Sequence, residues 1–173
     1  EGLVSYGYGR VKIKDLDANA PYLIRRQAEE SGGVSHTSAV SLALSRDTRD
    51  SFLEPTRGLR VRLAATVAGS ALGGDNDFMK YSADASQYVP LFWKMVGHLR
   101  GNFSYSEAYG DSEVLPVQER FFLGGPNTIR GFRNFTVSPR DPAGGDGLTG
   151  GNKAWFANAE LLFPLYEPLR MRG

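Results

Sequence analysis

The chain has 173 residues, of which 41% are hydrophobic, 12% are aromatic and none is cysteine, and its formal net charge is +1. Without cysteine there are no disulfides or thiolate metal sites, and the near-neutral charge gives no field that would attract nucleic acid. The aromatic content and small net charge exclude an intrinsically disordered chain. No apolar run approaches the roughly 18 residues of a transmembrane helix.

The first segment, residues 3–13, alternates like a strand, but its phase is ambiguous. Val4 and Tyr6 have the opposite parity to Val11, so either set could form the apolar face. Residues 20–30, which contain Pro21 near their start, suggest a short helical turn within a connection. The chain therefore opens with a strand whose inward and outward faces the local pattern leaves open.

Five further segments alternate more clearly, with apolar residues on one parity and polar residues on the other. Their approximate limits are residues 36–47, 59–67, 79–91, 95–106 and 153–163. In the second of them, Leu59, Val61 and Leu63 share one parity, while Arg60 and Arg62 share the other. Turn-forming residues separate the segments. The sequence therefore predicts an all-β protein, an antiparallel meander of about six to seven strands with the last one truncated.

Two all-β architectures share this alternation. In a soluble sandwich the apolar face packs on a second sheet, whereas in a transmembrane barrel it meets lipid and the polar face lines a wet lumen. Strands of roughly ten residues are longer than the five or six usual in soluble proteins. Charged residues such as Arg62, Lys80 and Arg100 recur on the polar parity, and aromatic residues such as Trp93 and Tyr109 lie near strand ends. These features favour the barrel.

A glycine-rich segment before the last long strand carries a motif that alternation does not explain. It reads ERFFLGG at residues 119–125 and IRGF at residues 129–132. No Gly-Lys-Ser/Thr follows, as a phosphate-binding loop would require, and no nucleophile elbow is present. His36 and His98 have no further ligand at metal spacing. The sequence therefore predicts no metal site, no cofactor and no enzymatic centre.

The segment resembles the sixth-loop signature of the BamA superfamily. That family covers outer-membrane protein assembly factors, two-partner secretion transporters and the import barrels of mitochondria and plastids. The match to its [V/I]RGF core is accompanied by four further stretches in the family's order. These are DTRD with PTRG at residues 47–58, YVPL at 88–91, GGNK at 150–153 and ELLFP at 160–164.

The resemblance implies that the chain is part of a sixteen-stranded transmembrane β-barrel of the bacterial outer membrane, with a lumenal sixth loop at about residues 111–151. It also implies that the protein folds and inserts nascent β-barrel proteins and is not an enzyme. Accessory lipoproteins would bind through periplasmic domains outside the chain, and membrane lipid would surround the barrel. The alternatives are a two-partner secretion-type pore, a passive porin-like channel and a soluble β-sandwich binding module.

Within the loop, the resemblance implies that Arg130 is received by acidic residues of the inner barrel wall. Glu160 has the polar parity of its strand and is the candidate partner. A second acidic partner, an aspartate of the following strand in the family, would lie beyond the chain. Because the lumen would then be incomplete, the ion pair is expected of the complete barrel rather than of this chain alone.

The other motif residues are expected to shape the loop. Gly124 and Gly125 permit positive φ and close backbone approach, and so a sharp turn. Gly131 is expected to leave space where the loop tip touches the wall. Ile129 and Phe132 are expected to supply the apolar contact that holds the tip there.

Overall fold

The computed structural model describes residues 1–13, 20–110, 112, 114–141, 147–166 and 171–172. Its main element is a six-stranded antiparallel sheet in which sequence neighbours pair. The strands are β1 (Gly2–Lys12), β2 (Val34–Asp47), β3 (Gly58–Ala68), β4 (Phe78–Pro90), β5 (Val96–Ala108) and β6 (Lys153–Leu162). Two short strands, β7 (Pro164–Tyr166) and β8 (Met171–Arg172), pair separately. The predicted all-β antiparallel meander is confirmed.

A short helix, α1 (Tyr22–Glu30), lies in the connection between β1 and β2. It matches the helical turn expected at residues 20–30, while residues 14–19 lie outside the described part of the chain. The buried Gln27 of α1 accepts a hydrogen bond of 3.0 Å from the N–H of Val117, which ties the helix to the connection between β5 and β6. The described part of the chain also contains single-turn 3₁₀ helices at Ser70–Leu72 and Val117–Glu119. Phe92–Lys94 forms a tight turn in which Trp93 and Lys94 have positive φ.

Over the described ranges, no helix has both the length and the apolar character needed to cross a membrane.

The register of the sheet gives it one apolar and one polar face. Val4 lies opposite Leu42, and Leu42 lies opposite Ala65, so the first strand presents Val4 and Tyr6 to the apolar side. That face is exposed along the whole sheet at Val4, Tyr6, Val40, Leu42, Leu63, Val67, Tyr81, Phe103, Trp155 and Leu161. A sandwich would bury such a face against a second sheet. Its exposure fits a wall that meets lipid.

The opposite face is polar and supports the long connection between β5 and β6. Its charged and amide side chains include Arg62, Lys80, Asp84, Arg100, Asn102, Asn158 and Glu160. A small apolar cluster of Ala68, Phe78 and Leu115 lies where this connection leaves the sheet. The cluster fixes the start of the connection, and the polar side chains contact its later part.

Candidate functional site

The base of the connection between β5 and β6 is fixed to the sheet. Phe121 and Gly151 exchange backbone hydrogen bonds of 2.8 and 2.9 Å. Lys80 Nζ on β4 lies 3.2 Å from Glu119 Oε2 and also lies over the ring of Phe121, 5.0 Å from its centroid. Arg120 is partly buried beside them, and this burial lowers the pKa of its guanidinium. The motif loop, residues 124–137, therefore starts from an anchored position.

The turn at the start of the motif loop requires glycine at two successive positions. Gly124 and Gly125 have φ values of 110° and 98°, a region that other residues rarely adopt. A Cβ at Gly124 would collide with the carbonyl oxygen of Arg133, and one at Gly125 would collide with the side chain of Asn134. The N–H of Gly125 donates to the carbonyl of Phe132 at 3.0 Å. The positive φ and the lack of space for a Cβ thus both favour glycine at these two positions.

The backbone conformation favours glycine at position 131. Its φ is 87°, and no atom of the described residues lies within 4 Å of the position that a Cβ would occupy. The expected contact of Gly131 with the wall of the complete barrel stays a prediction. Ile129 is partly buried. Phe132 is 58% exposed, so it makes little of the expected apolar contact within the described residues.

The tip of the motif loop reaches β6 through an ion pair. Arg130 Nη2 lies 2.7 Å from Glu160 Oε1, with the two side chains 69% and 21% exposed. The sequence predicts this pair for the complete barrel, and the structure brings the two residues together in the chain itself. Exposed ion pairs typically contribute about 0–1 kcal/mol, so other contacts must share in holding the loop.

Two of those other contacts bind the loop through its backbone. Arg100 Nη1 on β5 donates to the carbonyl of Asn127 at 3.3 Å, and Asn158 Nδ2 on β6 donates to the carbonyl of Thr128 at 3.0 Å. Both donors have the polar parity of their strands. The sequence did not identify them as loop contacts, because a bond to a backbone carbonyl leaves no signature in the residue that accepts it.

His98 is a further member of the site that the sequence did not identify. It lies on β5 directly opposite Glu160, and its Nδ1 is 3.1 Å from Glu160 Oε2. Its ring stacks on that of Tyr88, with centroids 4.2 Å apart and planes 5° from parallel. The Glu160 carboxylate is therefore shared, with one oxygen facing His98 and the other facing Arg130.

The chemistry of this arrangement is electrostatic positioning. Cationic and hydrogen-bonding side chains hold one carboxylate and two backbone carbonyls. Groups of three or more His, Cys, Asp or Glu side chains that could hold a metal ion do not occur within the described ranges.

The chain is similar to curated proteins named outer membrane protein assembly factor BamA and sorting and assembly machinery component 50 homolog. It is 34% identical over 170 residues to the outer membrane protein assembly factor BamA of Nitratidesulfovibrio vulgaris, covering 95% of this chain and 20% of that protein. It is 30% identical over 173 residues to BamA of Neorickettsia risticii, covering 97% and 21% of the two chains. Identity to the human sorting and assembly machinery component 50 homolog is 29%, over 87% of this chain and 30% of the relative.

The chain thus spans about a fifth of the length of the two BamA relatives. Its fold is similar to the crystal structure of BamA from Haemophilus ducreyi lacking POTRA domains 1–3, with a TM-score of 0.77 and 20% identity. That similarity covers 93% of this chain and 33% of the other. A family model described as the Omp85 superfamily domain matches residues 1–172. The chain therefore belongs to the Omp85 superfamily.

Proposed function

We propose that the chain is a barrel segment of an assembly factor that folds nascent β-barrel proteins and inserts them into the bacterial outer membrane, without enzymatic chemistry. The names of the BamA and sorting-and-assembly relatives support this assignment. The exposed apolar face of the sheet supports contact with membrane lipid.

In this proposal, the connection at about residues 111–151 is the lumenal sixth loop of the barrel. Its contacts with the polar face through Lys80, Arg100, Asn158 and Glu160 support that position. The observation that carries the proposal is the 2.7 Å contact between Arg130 of the IRGF motif and Glu160. A loop held in this way braces the inner wall, so that the barrel keeps its shape while a seam elsewhere opens to incoming strands.

The partners follow from this mechanism. Nascent β-barrel proteins would add strands at the open seam, where unpaired backbone groups act as a template. Accessory lipoproteins would bind domains outside this chain. Nucleic acid is not expected as a partner, because the net charge of +1 supplies no attractive field.

A two-partner secretion-type pore and a passive channel fit the observations less well. A passive channel needs an open lumen, whereas several side chains of the polar face hold the motif loop across it in the proposed arrangement. The named relatives are assembly proteins rather than secretion transporters. Client insertion, ion conductance and export of a soluble passenger distinguish both alternatives from an assembly factor.

The test uses the full-length protein that contains this chain, reconstituted into liposomes. The measured quantity is the rate at which a small β-barrel client becomes folded and membrane-inserted, followed by heat-modifiable migration on gels. We expect Arg130→Ala to slow insertion and Arg130→Lys to restore it in part, because lysine lacks the planar fork that matches a carboxylate. Arg133→Ala, at an exposed arginine of the same loop, is the control and should insert clients at the wild-type rate.

Three results would contradict the proposal. Wild-type insertion rates in liposomes that lack the protein altogether would show that it does not assemble clients. Ion conductance unchanged in kind by deletion of residues 124–137, in a protein that inserts no client, would indicate a passive channel. Export of a soluble passenger in place of client insertion would favour the secretion-type pore.

A further inference from the structure

Three side chains form a row across neighbouring strands beneath the tip of the motif loop. Tyr88 on β4 lies opposite His98 on β5, which lies opposite Glu160 on β6. All three are on the polar face, and the His98 side chain is 12% exposed. Directly opposed residues of antiparallel strands have Cβ atoms roughly 5 Å apart, so the sheet itself fixes their spacing.

The row determines which way the imidazole of His98 faces. Its nearly parallel stack on Tyr88, with ring centroids 4.2 Å apart, restricts the plane of the ring. Nδ1 then lies 3.1 Å from Glu160 Oε2. An ionised carboxylate only accepts hydrogen bonds, so this contact requires the proton on Nδ1.

The bond to His98 has a consequence for the other carboxylate oxygen. A glutamate side chain on a sheet surface rotates about three torsions, and each orientation presents its oxygens differently. Because Oε2 is held by His98, Oε1 is directed to the place where Arg130 Nη2 meets it at 2.7 Å. Arg130 is itself 69% exposed, so the residues of the sheet must restrict the geometry of this contact.

We propose that His98 is a positioning residue for the docking of the motif loop. Tyr88 orients the imidazole, the imidazole N–H orients the carboxylate of Glu160, and the oriented carboxylate receives Arg130. The role in assembly rests on the function proposed above. The positioning itself is a property of the loop and the wall, and can be measured without any client protein.

Two substitutions of His98 separate its hydrogen bond from its ring. His98→Phe keeps a ring that can stack on Tyr88 and removes the donor. His98→Asn removes the ring and keeps an N–H close to the position of Nδ1. His36→Phe is the matched control, because His36 on β2 also stacks on a tyrosine and contacts a carboxylate, with its Nδ1 3.0 Å from Asp75 Oδ2, but it lies at the opposite end of the sheet.

The measurement is the mobility of a nitroxide label on a single cysteine replacing Arg133, recorded by EPR on the full-length, otherwise cysteine-free protein in detergent micelles. We expect His98→Phe to raise the undocked fraction of the loop roughly fivefold, as loss of one hydrogen bond would do. His98→Asn should restore docking in part, because it keeps the donor but loses the stack on Tyr88, and His36→Phe should stay at the wild-type fraction. In an Arg130→Ala background, His98→Phe should add nothing further.

The proposal is overturned if His98→Phe leaves the loop docked, or if His98→Asn loosens it as much as His98→Phe does, since packing alone would then explain the effect. If His98→Phe does not fold, His98→Leu serves as the donor-free variant. Client insertion measured on the same proteins distinguishes the two ideas. If His98→Phe loosens the loop and insertion stays normal, the brace function is rejected and the positioning role of His98 is retained. If Arg130→Ala impairs insertion and His98→Phe has no effect on the loop, the brace function is retained and the positioning role is rejected.

Discussion

Asn158 on β6 donates a hydrogen bond from Nδ2 to the backbone carbonyl of Thr128, 3.0 Å away and two residues before Arg130. This contact does not depend on the side chain at position 128. The loop tip is therefore held through its backbone as well as through the charge of Arg130, and the two kinds of contact can be tested separately.

We expect Asn158→Leu, which keeps a similar volume and removes the donor, to increase amide hydrogen exchange in residues 124–137. Loss of one hydrogen bond costs roughly 1 kcal/mol, or about a fivefold faster exchange if opening is local. Asn102→Leu is the control, because Asn102 Nδ2 contacts Asp84 Oδ2 on the same face. Equal acceleration by both variants would show that Asn158 does not anchor the loop.

A double-mutant cycle tests the pair of Arg130 and Glu160 in the full-length protein. Because the guanidinium is 69% exposed, we expect Arg130→Ala and Glu160→Ala to show a coupling of about 0.2–1 kcal/mol in the opening of the motif loop. Hydrogen exchange of the loop amides gives the free energy of loop opening for the wild type, the two single variants and the double variant. Strictly additive effects would mean that the two residues do not interact, and the proposed brace would have to be abandoned.

We expect alanine substitutions of the loop glycines to destabilise the motif loop to different extents. Gly131→Ala places a side chain at positive φ in open space, so we expect a strain of about 1–2 kcal/mol. Gly125→Ala should cost more, because its Cβ would also collide with Asn134. Gly7→Ala on β1, where the Cβ position is open and φ is not positive, is the control. Chymotryptic cleavage after Phe132, followed by mass spectrometry, measures loop opening. Faster cleavage in Gly131→Ala than in Gly125→Ala would contradict this order.

The turn between β2 and β3 should resist acid. Hydrogen bonds from the hydroxyl and the N–H of Thr56 lower the pKa of Asp50 below its usual range. A carboxyl whose folded pKa is lowered stabilises the turn above its unfolded pKa of about 3.9, and this contribution is lost as the pH falls through the folded value. NMR titration of the Thr56 amide should therefore show a midpoint below that of an unfolded aspartate.

Thr56→Val removes the hydroxyl donor and should raise the pKa of Asp50. A midpoint at or above the unfolded value in the unmodified protein would show that the hydrogen bonds do not persist in solution.

The orientation of the sheet in the membrane can be tested with single cysteines at positions 61 and 62. Val61 lies opposite Ala85 on the apolar face, and Arg62 lies opposite Asp84 on the polar face. In liposomes, we expect a water-soluble thiol reagent to label position 62 and to spare position 61. Labelling of position 61 with protection of position 62 would show that the two faces are reversed.

Most of the fold could be predicted from the sequence, because successive side chains of a strand point to opposite faces. That alternation located the five clear strands and assigned Val61, Arg62 and Glu160 to their faces before any pairing was known. The resemblance to the BamA superfamily rested likewise on short local motifs, and the match of residues 1–172 to the Omp85 domain confirms it. Properties of neighbouring residues were sufficient for these conclusions.

Other features needed the tertiary structure. The face of β1 was decided by pairing of Val4 with Leu42, since both parities of that segment carry apolar residues. The roles of His98 and Asn158 depend on partners that are brought near by strand register and by the fold of the loop. Alternation indicates the face of the sheet on which a residue lies, but it does not indicate which residue of another strand lies opposite. That information resides in the register, which is set by the packing of the whole sheet.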